Sequence, residues 1–138
     1  MALWLVVCSH MASFNLAPAT APGGAPDLER FRGFLRDGFP GAHGYVALLG
    51  LDAFDVPELL IAVGKGFSYR VFDRLRRNMG LSADALLTLI NMPRRTLTRR
   101  KAEGRFLPDE SDRLLRISRL FARALELFDG HPAAAMAW

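Results

Sequence analysis

Apolar residues recur along most of this chain at helical intervals rather than in alternation. Val71, Phe72, Leu75 and Met79 share one side of a predicted helix that stops at Gly80. Leu114, Ile117, Phe121, Leu125 and Phe128 form a longer stripe in a helix opened by Pro108-Asp109. Between them, Ser82 is placed to cap SADALLTLI, with Leu86, Leu89 and Ile90 as candidates for burial. Asn91-Met92 predicts a tight break, Pro93 a first helical residue, and Gly104 the end of a helix running to about Glu103. Upstream, Asp27 can cap LERFRGFLR, whose Leu28, Phe31, Phe34 and Leu35 lie on one side. GFPGAHG (38–44) is a turn, and YVALLGL (45–51) is apolar but undecided between strand and buried helix. Asp55 and Glu58 stand at capping-box spacing with Pro57 between them, so VPELLIAVG starts another helix. No stretch alternates with a period of two, and no internal repeat stands out. The expected fold class is all-α, a compact helical bundle.

Composition changes the picture mainly at the ends. A chain of 138 residues with 51% hydrophobic and 23% charged content suffices for about one globular core. Met1–Cys8 (MALWLVVC) is too short to span a bilayer and lacks the basic start of a signal peptide, so no membrane association is expected. SHMAS (9–13) reads as an expression scar and APATAPGGAP (17–26) as a flexible linker. The organisation expected is a leader and linker over 1–26, a helical segment over 27–64, a second helical domain over 65–128, and a short tail over 129–138. Cys8 is the only cysteine, which excludes an intramolecular disulfide framework and fits a reducing, cytoplasmic setting.

Charge is strongly segregated. Residues 65–123 carry fifteen Lys/Arg against six Asp/Glu, a net of +9, whereas residues 1–64 come to −3 and residues 124–138 to −2. The field is densest in NMPRRTLTRRK (91–101), five cations in eleven residues with no acid among them. Two short helices separated by a few residues, the second one basic, is a helix-turn-helix pattern. With Leu97 turned inward, Arg95, Thr98, Arg99 and Ala102 fall on the opposite face. Arg94, Arg100 and Lys101 then flank it, where the phosphate walls of a DNA groove would lie. Arginine bonds guanine edges bidentately and threonine meets a thymine methyl, while flanking cations displace condensed counterions. The candidate DNA-binding residues are therefore Arg94, Arg95, Thr98, Arg99, Arg100 and Lys101, set against the commoner case of a solvated helix face.

Other chemistry-bearing residues read more plainly. Asp109, Glu110 and Asp112 stand at a helix start, where acids complement the dipole. Arg74, Arg76, Arg77, Arg113, Arg116 and Arg119 are expected to be solvated. Gly64-Lys65-Gly66 lacks the earlier glycine and the following Ser/Thr of a phosphate loop. His10, His43 and His131 have no metal or catalytic spacing. No catalytic residue, cofactor or metal is expected, and the protein is read as not an enzyme. Phe121, Leu125 and Phe128 are core residues first and a dimer seam second.

At this point a resemblance enters. GLSADALLTLINMPRRTLTRRK (80–101) resembles the Xre/Cro-type helix-turn-helix, with Ser82 opening the first helix, Met92 in the apolar slot after the turn, and Thr96-Leu97-Thr98-Arg99 in the recognition helix. It departs in having Asn91 where glycine is usual at the turn, and Leu87 where a small residue is favoured. Residues 63–128, from the GFSYR start through RRTLTRRKAEGRFLPDESDRLLR to the closing helix, are similar to the N-terminal half of the Xre/MbcA/ParS antitoxins. The resemblance implies an antitoxin that binds a RES-domain (ParT-type) toxin acting on NAD and represses its own operon through operator DNA, usually as a homodimer. It also implies that residues 129–138 are the start of a toxin-binding region which family members continue beyond a tryptophan like Trp138, so the chain is expected to be truncated there. A stand-alone helix-turn-helix transcription regulator is the alternative function.

Overall fold

A computed structural model describes residues 25–138, and they form an all-α body. The helices are α1 (Ala25–Asp37), α2 (Val56–Lys65), α3 (Arg70–Met79), α4 (Ala83–Leu89), α5 (Arg94–Glu103), α6 (Pro108–Leu127) and α7 (Pro132–Ala137). A single 3-10 helix, Gly44–Leu49, lies between α1 and α2. The expected leader, the scar, most of the linker, Cys8 and His10 lie outside the described residues.

The undecided YVALLGL stretch is this 3-10 helix, and it sits at the middle of the fold. Val46, Ala47, Leu48 and Leu49 are buried, enclosed by α1, α3 and α6. Four consecutive buried residues satisfy neither a strand's alternation nor an amphipathic helix, which is why periodicity could not decide them. One cluster of buried side chains then runs from Leu28 and Phe31 through Phe72, Leu75, Leu86 and Leu97 to Leu114, Leu125 and Ala135. The segment over 27–64 thus shares its core with the helices that follow.

Several caps form as their residues dictate. Asp55 Oδ1 accepts from the Glu58 N–H at 3.0 Å, and Ser82 Oγ accepts from the Ala85 N–H at 3.2 Å. Asp27 is a correction. α1 begins at Ala25, so Asp27 lies within the first turn instead of capping it, and its carboxylate is buried. Arg74 grips it with Nε at 3.0 Å and Nη2 at 2.6 Å, and Asn78 Nδ2 donates to it at 3.1 Å. Asn78 also donates to the Leu48 carbonyl at 2.8 Å, tying α1, α3 and the 3-10 helix together. Arg74 is exposed as expected and in addition structural; its hydrogen bond to Asp27 raises its pKa despite partial burial.

A second junction joins the α2–α3 and α5–α6 connections. The Phe106 N–H donates to the Phe67 carbonyl at 2.8 Å and the Tyr69 N–H to the Gly104 carbonyl at 3.0 Å. Gly66 has φ of +80°, and a Cβ there would stand 2.0 Å from the Phe106 carbonyl oxygen. Only glycine lets the two connections approach this closely. The end of α5 is thereby fixed to the start of α3.

Candidate nucleic-acid interface

α4 and α5 are the two helices expected of the motif, joined through Ile90–Pro93. Asn91 bends the chain with a left-handed φ of +51°, the role glycine would serve. Ile90 and Met92 on either side of it are buried and hold the turn against the core. Arg113 of α6 reaches the same turn, its Nη1 donating to the Asn91 carbonyl at 3.3 Å. Two local expectations shift. Leu89 is 48% exposed, and Leu87 is buried in its place, so the leucine at the close-approach position is absorbed by the core. Pro93 is the cap residue and Arg94 the first helical one, since Pro93 has extended backbone with ψ of 146°.

Leu97 anchors α5 inward, and Arg95, Thr98, Arg99 and Ala102 face solvent as the register requires. Among the described residues, the ion pairs made by α5 cations belong to Arg94 and Arg100, leaving the Arg95 and Arg99 guanidinium groups without a carboxylate partner. Arg94 bonds Asp84 of α4 through Nε at 3.1 Å and Nη2 at 2.5 Å, an exposed pair that spans the motif. The Thr98 hydroxyl donates to the Arg94 carbonyl at 3.1 Å. Lys101 stands 6.0 Å from the Tyr69 ring centroid with its ammonium in solvent.

Arg100 does not belong with them. It is buried, and its guanidinium holds Glu110 through Nε at 2.7 Å and Nη2 at 2.9 Å, with Nη1 on Glu103 at 2.9 Å. Arg100 follows Leu97 by three residues, about 60° from the inward direction, so the core side claims it. Burial disfavours the charged Glu110, but the Arg100 guanidinium and the Leu107 N–H, donating at 2.9 Å, outweigh it and hold its pKa below the usual value. The Glu110 hydrogen bond raises the pKa of Arg100 in turn. This pair locks α5 onto α6. A glutamate three residues beyond Leu107 at a helix start was the available sequence signal, since it marks a backbone-capping side chain.

Along the surface of α6, Asp109 pairs with Arg113 at 3.2 Å, Asp112 with Arg116 at 2.8 Å and Glu126 with Arg123 at 3.0 Å. Among the described residues, no three His, Cys, Asp or Glu side chains converge as metal ligands, and no helix is long and apolar enough to cross a membrane.

Residues 58–119, which contain the whole α4–α5 pair and the α6 residues that brace it, match the family described as antitoxin Xre-like helix-turn-helix domain. Over these residues the chain is similar to the Xre-like antitoxin helix-turn-helix domain. Over 91 residues it is also 34% identical to the Antitoxin Xre of Yersinia enterocolitica, an alignment covering 65% of this chain and 62% of that protein. The chain therefore spans less than two thirds of the relative's length. No solved structure matches it. The Xre-like domain begins inside α2 and ends inside α6, so the Asp27–Arg74 contact secures it from a segment outside the matched residues.

Proposed function

We propose that this protein is the antitoxin of a type II toxin–antitoxin pair. In this reading it neutralises a RES-type toxin that consumes NAD or transfers its ADP-ribose, and as a cytoplasmic homodimer it represses its own operon. The observation that carries the DNA-binding half is the solvent face of α5, where Arg95, Thr98 and Arg99 stand free on a helix anchored by Leu97. An α-helix fits the major groove, and two unpaired guanidinium groups on its outer face supply bidentate donors for guanine. With its hydroxyl engaged by the Arg94 carbonyl, Thr98 offers mainly its methyl to a thymine. Lys101 and Arg94 lie beside this face and supply phosphate contacts, Arg94 by exchanging Asp84 for a phosphate. Arg100 is outside the interface and acts by holding the helix.

The toxin half is supported by the antitoxin family matched over 58–119. The test is co-expression with the toxin encoded beside this gene, scoring growth, together with binding to the promoter fragment of the same operon. Restored growth and a specific DNA shift are expected. Operator binding without any rescue of growth would favour the stand-alone regulator, whose support is the exposed α5 face by itself.

A further inference from the structure

One exposed arc of α2, bordered by a charged edge, carries no charge. Val56, Leu60 and Ile61 are 51%, 67% and 59% exposed, and Pro57 and Gly64 are exposed beside them. At about 100° per residue these five positions fill one continuous arc. The opposite side holds the helix to the body, with Leu59 buried and α6 as its neighbour. Isolated exposed apolar residues are ordinary, but a whole helix face of them marks an interaction surface.

This face has the same pattern read from either end. Pro57, Leu60, Ile61 and Gly64 stand at i, i+3, i+4 and i+7, with the two bulky residues central and the two compact ones outside. Laid antiparallel about a twofold axis between positions 60 and 61, two copies set Pro57 against Gly64 and, across the centre, Leu60 beside Leu60 and Ile61 beside Ile61. A Cβ at Gly64 would meet nothing within 4 Å, so open space is available there for the proline ring of a second copy. The same twofold keeps like edges of the two helices together. Glu58 and Lys65 share the one charged edge of α2, and antiparallel packing brings Glu58 of each copy beside Lys65 of the other. Among the described residues neither takes part in an ion pair, and each is exposed.

We propose that α2 is the self-association surface of this protein, and that its occupant is α2 of a second copy. The inference supplies the interface for the homodimer reading above and rests on that reading for its role on an operator. One ten-residue helix against its copy buries less than the ~1,200 Å² total at which stable interfaces begin. The free protein is therefore a weak, reversible dimer. Two half-sites on one DNA duplex raise the effective concentration and tighten the pair.

Sedimentation equilibrium of the full chain over a concentration series, under reducing conditions and without DNA or toxin, tests this. The wild type should show a monomer–dimer equilibrium, and Leu60→Glu should weaken it by about tenfold or more, as loss of a central interface residue does. Glu58→Lys and Lys65→Glu should each weaken it several-fold, and the double charge swap should regain the wild-type constant. Circular dichroism confirms that each variant is folded, which substitutions at exposed positions favour. A monomer at every concentration, a dimer indifferent to Leu60→Glu, or a double swap no better than its single parents would each overturn the proposal. Since neither DNA nor toxin is present, such a failure leaves the antitoxin reading standing, and failed growth rescue leaves this one standing.

Discussion

At the level of single residues, neighbouring arginines of α5 do opposite work because of about 100° of helix rotation. Arg99 is in solvent, and Arg100 is buried on Glu110. Arg95→Ala and Arg99→Ala should each cost about 1–3 kcal/mol at the operator and relax base preference, whereas Lys101→Ala should weaken all duplexes alike and flatten the salt dependence. Titrations of operator and random DNA at several salt concentrations check this, and equal losses on both for all three variants would remove the recognition assignment. Glu110→Gln should instead act on stability, lowering the melting temperature by on the order of 5–10 °C by leaving the buried guanidinium with Glu103 as its one carboxylate partner. Its pH dependence has a definite sign. Folding lowers the Glu110 pKa, so its contribution is complete above the unfolded value and is lost as pH falls through the folded one. The wild type should therefore lose stability on acidification more steeply than Glu110→Gln, as read from melting curves between neutral and acid pH.

Elements are held by their ends as much as by their faces. Ser82 is the N-cap of a helix of only seven residues, too short to persist alone. Ser82→Ala should cost about 1 kcal/mol in urea unfolding, at the centre of the range for lost caps. Asn91 carries the turn at φ of +51°, so Asn91→Gly should be nearly neutral while Asn91→Val costs about 1–2 kcal/mol from left-handed strain. Equal stability of the two variants would contradict a turn held by backbone conformation. The Gly66–Phe106 crossing acts similarly on α5, since it fixes the far end of the helix whose near end Arg94 ties to α4.

For the whole molecule, the helix-turn-helix is not self-sufficient. Leu28, Phe31, Leu48 and Leu49 come from outside the matched residues 58–119, yet all are buried in the same core as Phe72, Leu75 and Leu114. Asp27 adds a buried carboxylate that only Arg74 and Asn78 compensate. A fragment starting at residue 50 should therefore lose cooperative unfolding and operator affinity together, because removing those four side chains leaves an open core. Calorimetry and a DNA titration of the fragment check this; a sharp transition with unchanged affinity would show that the matched domain folds alone.

Helical content, caps and register were legible in the chain itself, because they depend on neighbours within a turn or two. Ser82, Asp55 and Gly104 act where local chemistry puts them, and Leu97 sets the outward direction of Arg95, Thr98 and Arg99. What tertiary structure alone decided are the partners far along the chain. Asp27 fits a helix cap as well as a buried anchor until Arg74, 47 positions away, is brought to it. YVALLGL has no period to read, since it is enclosed on all sides by α1, α3 and α6. Arg100 looks like any flanking cation until α6 places Glu110 against it. Charge and spacing mark which residues meet water or the core within one helix, but a buried ion pair depends on which helices pack together, and long-range contacts settle that.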